Sequence, residues 1–220
     1  MQKRLVAARK AAAIGDVLLI CQHPHVITQG RNSKAENLLA SEHVLRQMGV
    51  TRYETDRGGD ITYHGPGQVV VYPIINLGEI KRDVVWYVRQ LEEVMIRATA
   101  DFGIEARRAD GMTGIWVAGT SAGAVADKLG AIGVHISRWV TSHGFAYNVS
   151  TDLRYFDLIV PCGLAGKRAT SLEKLTGRHV PVWAAAQSLV AQFGEVFGLR
   201  MVQASRGELE TKLAGSEAVP

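Results

Sequence analysis

Cysteine is scarce in this chain. There are two in 220 residues, Cys21 and Cys162, far apart. No Cys-x-x-Cys pair exists, so neither a zinc site nor a disulfide framework is indicated. Dense basic runs are missing too: 25 Lys and Arg stand against 21 Asp and Glu, a net charge of +4, and nothing in their spacing tracks nucleic acid. The first ten residues are charged, which is not a secretory signal, and the longest apolar runs are too short and interrupted to span a bilayer. The expected setting is a reducing cytoplasm with no membrane partner, where a thiol stays available for chemistry. His23-Pro24-His25 lacks a third ligand, so no metal is expected there. No internal repeat or low-complexity segment is present.

What the chain does have is apolar residues (47%) and 23 glycines, the composition of a turn-rich globular enzyme. The length favours one domain, expected over residues 1–200, with 201–220 as a flexible, fraying tail. Helices are expected over 2–13, over 41–48 with Ser41 as N-cap and Gly49 as stop, over 83–102 with Asp83 as cap, and over 182–197. In the third of these, Val84, Val88, Leu91, Met95, Ala98 and Phe102 recur at helical spacing and read as core. Strands are expected over 16–22, with Cys21 in the core, and over 51–55, 69–75, 106–108 and 114–117. A further pair, 128–136 and 140–149, turns around Ser137-Arg138. Residues 118–124 read as a small, exposed loop, and 167–171 as a polar loop followed by at most one helical turn. Strands interleaved irregularly with a few helices point to an α+β fold with a mixed β-sheet.

Two stretches carry chemistry. In the first, residues 57–68 (Arg-Gly-Gly-Asp-Ile-Thr-Tyr-His-Gly-Pro-Gly-Gln), four glycines in a dozen residues expose backbone between two strands. No Gly-Lys-Ser/Thr closes the stretch and no helix follows, so it is neither a phosphate loop nor a dinucleotide fingerprint. In the second, Ile159-Val160-Pro161-Cys162-Gly163, an apolar run breaks at proline and presents a thiol before glycine. Such a cysteine sits at a strand end with backbone N–H groups available for an oxyanion, which suits an acyl-thioester nucleophile; the competing reading is a small buried thiol. A thiol near pKa 8.5 needs a neighbouring cation or base. Lys128, His64, His143, Lys167 and Arg168 are all candidates, and local spacing does not choose among them. Lys128 opens an otherwise apolar strand, where desolvation would suit a proton-shuttling lysine.

These two stretches, with Gly130-Ala131-Ile132-Gly133 and Arg138-Trp139-Val140-Thr141-Ser142-His143-Gly144-Phe145-Ala146, closely resemble the lipoyl(octanoyl) transferases, from about residue 4 to 197. The resemblance implies an α+β fold similar to the catalytic domain of biotin–protein and lipoate–protein ligases. It implies Cys162 as the acyl-thioester residue and Lys128, thirty-four residues earlier, as the group that lowers its pKa and moves protons. It also implies an acyl-binding pocket lined by Arg57, Gly58, Gly59, Asp60, Ile61, Thr62, Tyr63 and His64, by Ala131, Ile132 and Gly133, and by Gly144, Phe145 and Ala146. The implied partners are octanoyl-acyl carrier protein as donor, and as acceptors the lipoyl domains of 2-oxoacid dehydrogenases and the glycine cleavage H protein. The enzyme is expected to be a monomer with no cofactor, since thioester to amide runs downhill without ATP or metal. The family usually carries a strand and part of a helix ahead of the point where this chain starts; either the start is late, or that strand is missing, which would leave an uncovered sheet edge. Residues 117–127 also exceed the family's usual turn.

Burying each methylene of an eight-carbon chain is worth about 0.8 kcal/mol, so slot depth can read chain length. Net charge suggests that an acidic carrier meets a basic rim that includes Lys167 and Arg168. Three rivals remain open at this level: an ATP-dependent lipoate–protein ligase, a transferase taking its acyl group from another lipoyl-domain protein, and a non-catalytic lipoyl-domain binder.

Overall fold

Alternation of apolar residues along the strands sorts side chains onto two faces of one sheet. The computed structural model describes residues 1–119, 126–160 and 168–217. Among them the main sheet has the strand order β1 (Val17–Cys21), β5 (Gln68–Ile74), β9 (Val140–Asn148), β8 (Asp127–Ser137), β7 (Met112–Val117) and β6 (Arg107–Ala109), all neighbours antiparallel. A short β10 (Arg168–Ala169) lies parallel to β8. A smaller sheet places β2 (Val26–Gln29) parallel to β3 (Thr51–Glu54) and antiparallel to β4 (Ile61–His64). The mixed-sheet α+β expectation holds.

Helices α4 (Val84–Ala100) and α6 (Val182–Phe197), preceded by the short α3 (Leu77–Ile80) and α5 (Leu172–Thr176) respectively, cover one face of the main sheet. Leu91, Met95 and Ala98 with Leu189 and Phe193 pack on Val69, Val71, Phe145 and Tyr147. Asp83 accepts the Trp86 N–H at 2.9 Å, the expected cap. At the start of the expected stripe Val84 is exposed, because α4 begins before it reaches the sheet. The opposite face meets α1 (Gln2–Lys10) and α7 (Arg206–Glu217) through Leu5, Leu213, Ile74 and Val140. A second core of Ile27, Leu45, Ile61, Tyr63, Leu158 and Ile159 fills the space beneath the small sheet and α2 (Glu42–Gln47). Ser41 caps α2, accepting from the Val44 N–H at 3.3 Å. Strands β8 and β9 are joined through Arg138 and Trp139, both left-handed at φ 51° and 65°. That is the turn whose twist matches a tight hairpin, made here without glycine.

Four expectations change. The stretch 57–68 contains a strand, β4, because Ile61 and Tyr63 alternate into the second core. Cys21 is half-buried on β1, not in the core, and burial pushes its thiol pKa up. The 167–171 loop includes β10, with Thr170 and Ser171 buried. The tail does not fray throughout: 206–217 is helical, since Leu209 and Leu213, four apart, face the same pocket beside α1. Residues 120–124 of the loop expected to be exposed, and 125 after it, lie outside the described residues.

Leu213→Ala is expected to cost about 2–3 kcal/mol in urea unfolding, as for other fully buried leucines. A loss under about 0.5 kcal/mol would mean that α7 is not docked.

Candidate active site

The side chain of Lys128 is aimed by an irregularity in the sheet. Ile115 on β7 pairs with Gly130, but the next residue, Trp116, pairs with Lys128, so Leu129 is skipped. Ile115 and Leu129 are both buried in the α4 core, and a side chain placed on Gly130 would meet the Met95 sulfur at 2.6 Å. Without the bulge, alternation from Gly130 would carry Lys128 into that core. With it, Lys128 shares the face of Trp116, and its Nζ lies 4.9 Å from the Trp116 ring centroid, within cation–π range. Gly114, at φ 108°, makes room: a Cβ there would come within 2.9 Å of Lys128 Cε. Its N–H donates to Glu92 of α4 at 3.0 Å, which anchors β7 at that point.

Strand β10 runs alongside. Ala169 pairs with Lys128, and the Thr170 N–H donates to the Lys128 carbonyl at 2.9 Å. Upstream, the Val160 N–H donates to the Asn37 carbonyl at 2.8 Å. Cys162 and Lys167 lie outside the described residues; these two contacts fix the described residues that bracket them. Arg168, the other half of the expected basic rim, is exposed.

The glycine-rich stretch is held on β8 by backbone contact. The Gly58 N–H donates to the Val134 carbonyl at 2.8 Å. The Arg57 guanidinium donates to the Thr28 carbonyl at 2.6 Å, to the Thr28 hydroxyl and to the Gly58 carbonyl. Gly133 sits beneath: a Cβ there would come within 2.9 Å of Gly58 O and 3.1 Å of Arg57 Cδ. Asp60 accepts from the Ile61 N–H at 2.7 Å and from the Asn37 side chain, the same asparagine whose carbonyl holds Val160. Asp56, one residue before Arg57, bonds His143 at 2.7 Å. His143 itself has left-handed backbone, φ 56°. That hydrogen bond, above all, holds the Asp56 carboxyl below the usual carboxylate range.

Ala131 pairs with Ala146 and Gly133 with Gly144 across β8 and β9, leaving little side chain between them. Gly144 admits none, since a Cβ would meet the Val71 carbonyl at 2.1 Å. Other residues of the sequence-expected set point elsewhere. Phe145 is buried in the α4 core with Ile132 packed against it, and Ile61 and Tyr63 belong to the second core. These four contribute backbone and support, not side chains, to the Lys128 face. His64 ends the stretch. It is buried, with Nδ1 2.8 Å from the Gln68 side-chain oxygen. Burial pushes its pKa down to about 4, and Arg57, His23 and His143 push in the same direction. Trp116, Gly114, Asn37 and Asn148 were not singled out from sequence, because only strand pairing brings them to this place.

The lipoyl protein ligase A/B catalytic domain model matches residues 1–194. The chain belongs to that family. It is 49% identical over 202 residues to an octanoyltransferase of Solibacter usitatus, covering 92% of this chain and 88% of that protein. It is 46% identical to an octanoyltransferase of Caldicellulosiruptor saccharolyticus, covering 96% and 87%. The fold is also that of a bi-partite lipoate protein ligase of Thermoplasma acidophilum, with TM-score 0.71 at 12% identity over 99% of this chain and 87% of that one. A lipoate-protein ligase A bound with ATP gives TM-score 0.69 at 14% identity, over 98% and 90%. At such identities these structures speak to the fold, while the octanoyltransferases share nearly every second residue.

A histidine with a folded pKa near 4 and an unfolded value near 6.5 takes its proton more readily once the chain unfolds. Its effect on stability is therefore absent at neutral pH and grows unfavourable as pH falls through 6.5 toward 4. Wild type should lose about 3 kcal/mol more than His64→Gln between pH 7 and 4 in urea titrations. Parallel curves would mean that the imidazole is not buried neutral.

Proposed function

We propose that the chain is an octanoyltransferase of lipoate biosynthesis. It moves an octanoyl group from octanoyl-acyl carrier protein, by way of a Cys162 thioester, to a lysine of a lipoyl domain. It works as a monomer in the cytoplasm, with one catalytic domain that extends through α7. The observation that carries the reading is the 49% identity to an octanoyltransferase over 92% of the chain.

Each step balances without a further reactant. The Cys162 thiolate attacks the carbonyl carbon of the carrier thioester, and backbone N–H groups hold the oxyanion. Collapse breaks the bond to the carrier sulfur, which leaves as a thiolate and picks up the proton that Cys162 gave up to Lys128. The lysine amine of the lipoyl domain then attacks the acyl-enzyme. Lys128 takes one proton from the nitrogen as the amide forms and the Cys162 sulfur departs. The supporting geometry is the bulge that turns Lys128 away from the core and the pairing of Ala169, seven residues after Cys162, with Lys128. Arg57, Gly58, Gly133 and Ala131 shape the acyl slot from the same side, and the basic Arg168 stands at the rim for an acidic carrier.

Intact-mass measurement after mixing with octanoyl-acyl carrier protein should add one octanoyl unit to wild type and none to Cys162→Ala. Lys128→Ala should stay folded and transfer at least a hundredfold more slowly. Transfer that requires ATP and survives in Cys162→Ser would instead identify a ligase.

A further inference from the structure

A run of buried side-chain amides links the glycine-rich stretch to β10. The Gln68 side-chain oxygen is 2.8 Å from His64 Nδ1, and its nitrogen donates to the Asn148 side-chain oxygen at 2.9 Å and to the Tyr63 carbonyl at 3.3 Å. The Asn148 nitrogen donates to the Thr170 carbonyl at 3.0 Å. Thr170 donates its own N–H to the Lys128 carbonyl at 2.9 Å. Gln68, Asn148 and Thr170 are at most 5% exposed.

The direction of this chain is forced from one end. The Thr170 carbonyl only accepts, so Asn148 must turn its NH2 toward it and its oxygen toward Gln68. Gln68 must then donate to Asn148, which leaves its oxygen for His64. The amide orientations follow from the partners, not from choice. His64 must therefore carry a proton on Nδ1, and because burial disfavours the charged ring, Nε2 is left with its lone pair. No other orientation of the two amides satisfies these partners among the described residues.

We infer that Gln68 and Asn148 are positioning residues for acyl transfer: they hold His64 in the Nδ1–H tautomer and tie it, through Thr170, to the strand that carries the Lys128 partner. The inference rests on the octanoyl-transfer reading above. The groups facing His64 agree with it. Arg57 comes from the glycine-rich stretch, His23 from the turn after β1 with its ring centroid 5.9 Å away, and His143 from β9; each disfavours charge on His64. An uncharged imidazole offering a lone pair accepts a hydrogen bond without competing with Lys128 for the proton. The same chain sets where β10 lies, because Thr170 is gripped by Asn148 on one side and by Lys128 on the other. The Thr170 hydroxyl is buried with no hydrogen-bond partner among the described residues, so the two backbone contacts hold this end of the chain.

The discriminating variant is Gln68→Glu. A carboxylate still accepts from His64 Nδ1–H, but it cannot donate to Asn148, and it favours the imidazolium. In wild type, kcat/KM for octanoyl transfer should show the acid limb of Cys162 ionisation and no second limb above pH 5. In Gln68→Glu a new limb should appear between pH 5.5 and 8, with activity at least tenfold low at pH 6 and recovering to within about threefold at pH 8.5. A chain that only stabilises the fold would lower the whole profile without changing its shape, and that outcome overturns the inference. Should Gln68→Glu not fold, 15N imidazole NMR on wild type decides, with His64→Gln assigning the signal. His64 should stay neutral with the proton on Nδ1 from pH 5 to 8; an Nε2–H tautomer or an imidazolium contradicts the assignment. Wild type that transfers no octanoyl group refutes the function itself, whereas active wild type with an unshifted variant refutes only the positioning role.

Discussion

One skipped residue in a strand pairing decides which way Lys128 faces. Leu129 is left out of the β7–β8 ladder and turns into the α4 core, so Lys128 emerges beside Trp116 on the opposite face. Strand bulges re-aim side chains in this way at the cost of a ladder contact. The cost is met locally: Gly114 and Gly130 let the backbones close up, and Glu92 holds the Gly114 N–H. Glu92 is itself buried, and its carboxylate is shared by Arg89 and Arg108. The aim of Lys128 thus depends on an ion-paired carboxylate on a helix behind the sheet.

The glycine-rich stretch is anchored to both described flanks of 161–167. Upstream, Asp60 holds Asn37, whose carbonyl holds Val160. Downstream, His64 reaches Thr170 through Gln68 and Asn148. The stretch itself rests on β8, where Gly133 lets Gly58 and Arg57 approach. In the proposed reaction the acyl slot, the lysine and both attachment points of the cysteine segment therefore share one rigid frame. Such preorganisation is what lets fixed groups act on a transition state without first rearranging.

Much of this was legible beforehand. Periodicity located α4 and α6, and Asp83 and Ser41 marked the starts of α4 and α2, because caps and apolar stripes are local properties. Of the motif residues 57–64, 131–133 and 144–146, strand pairing sets 131–133 against 144–146, a backbone contact brings Gly58 onto β8, and 61–64 pair with β2 in the smaller sheet. What could not be read was set by pairing at a distance. Alternation along β8 alone would have placed Lys128 in the core, and only the partner strand reveals the bulge. Gln68 stood at the end of the quoted glycine stretch and Asn148 two residues past Ala146, yet nothing local joins positions eighty apart in sequence. Strand β4 was hidden because its glycine-rich flanks resemble a loop. Helix α7 was hidden because its few apolar residues gain from a surface that α1 supplies.

The central claim is that Lys128 manages the proton of Cys162, and the most direct measurement is the pH dependence of iodoacetamide alkylation at Cys162. Cys21→Ser serves as background, with and without Lys128→Ala. The account expects a midpoint clearly below the usual thiol value of about 8.5 with Lys128 present, moving up by at least one unit in its absence. Identical midpoints in the two proteins would contradict it.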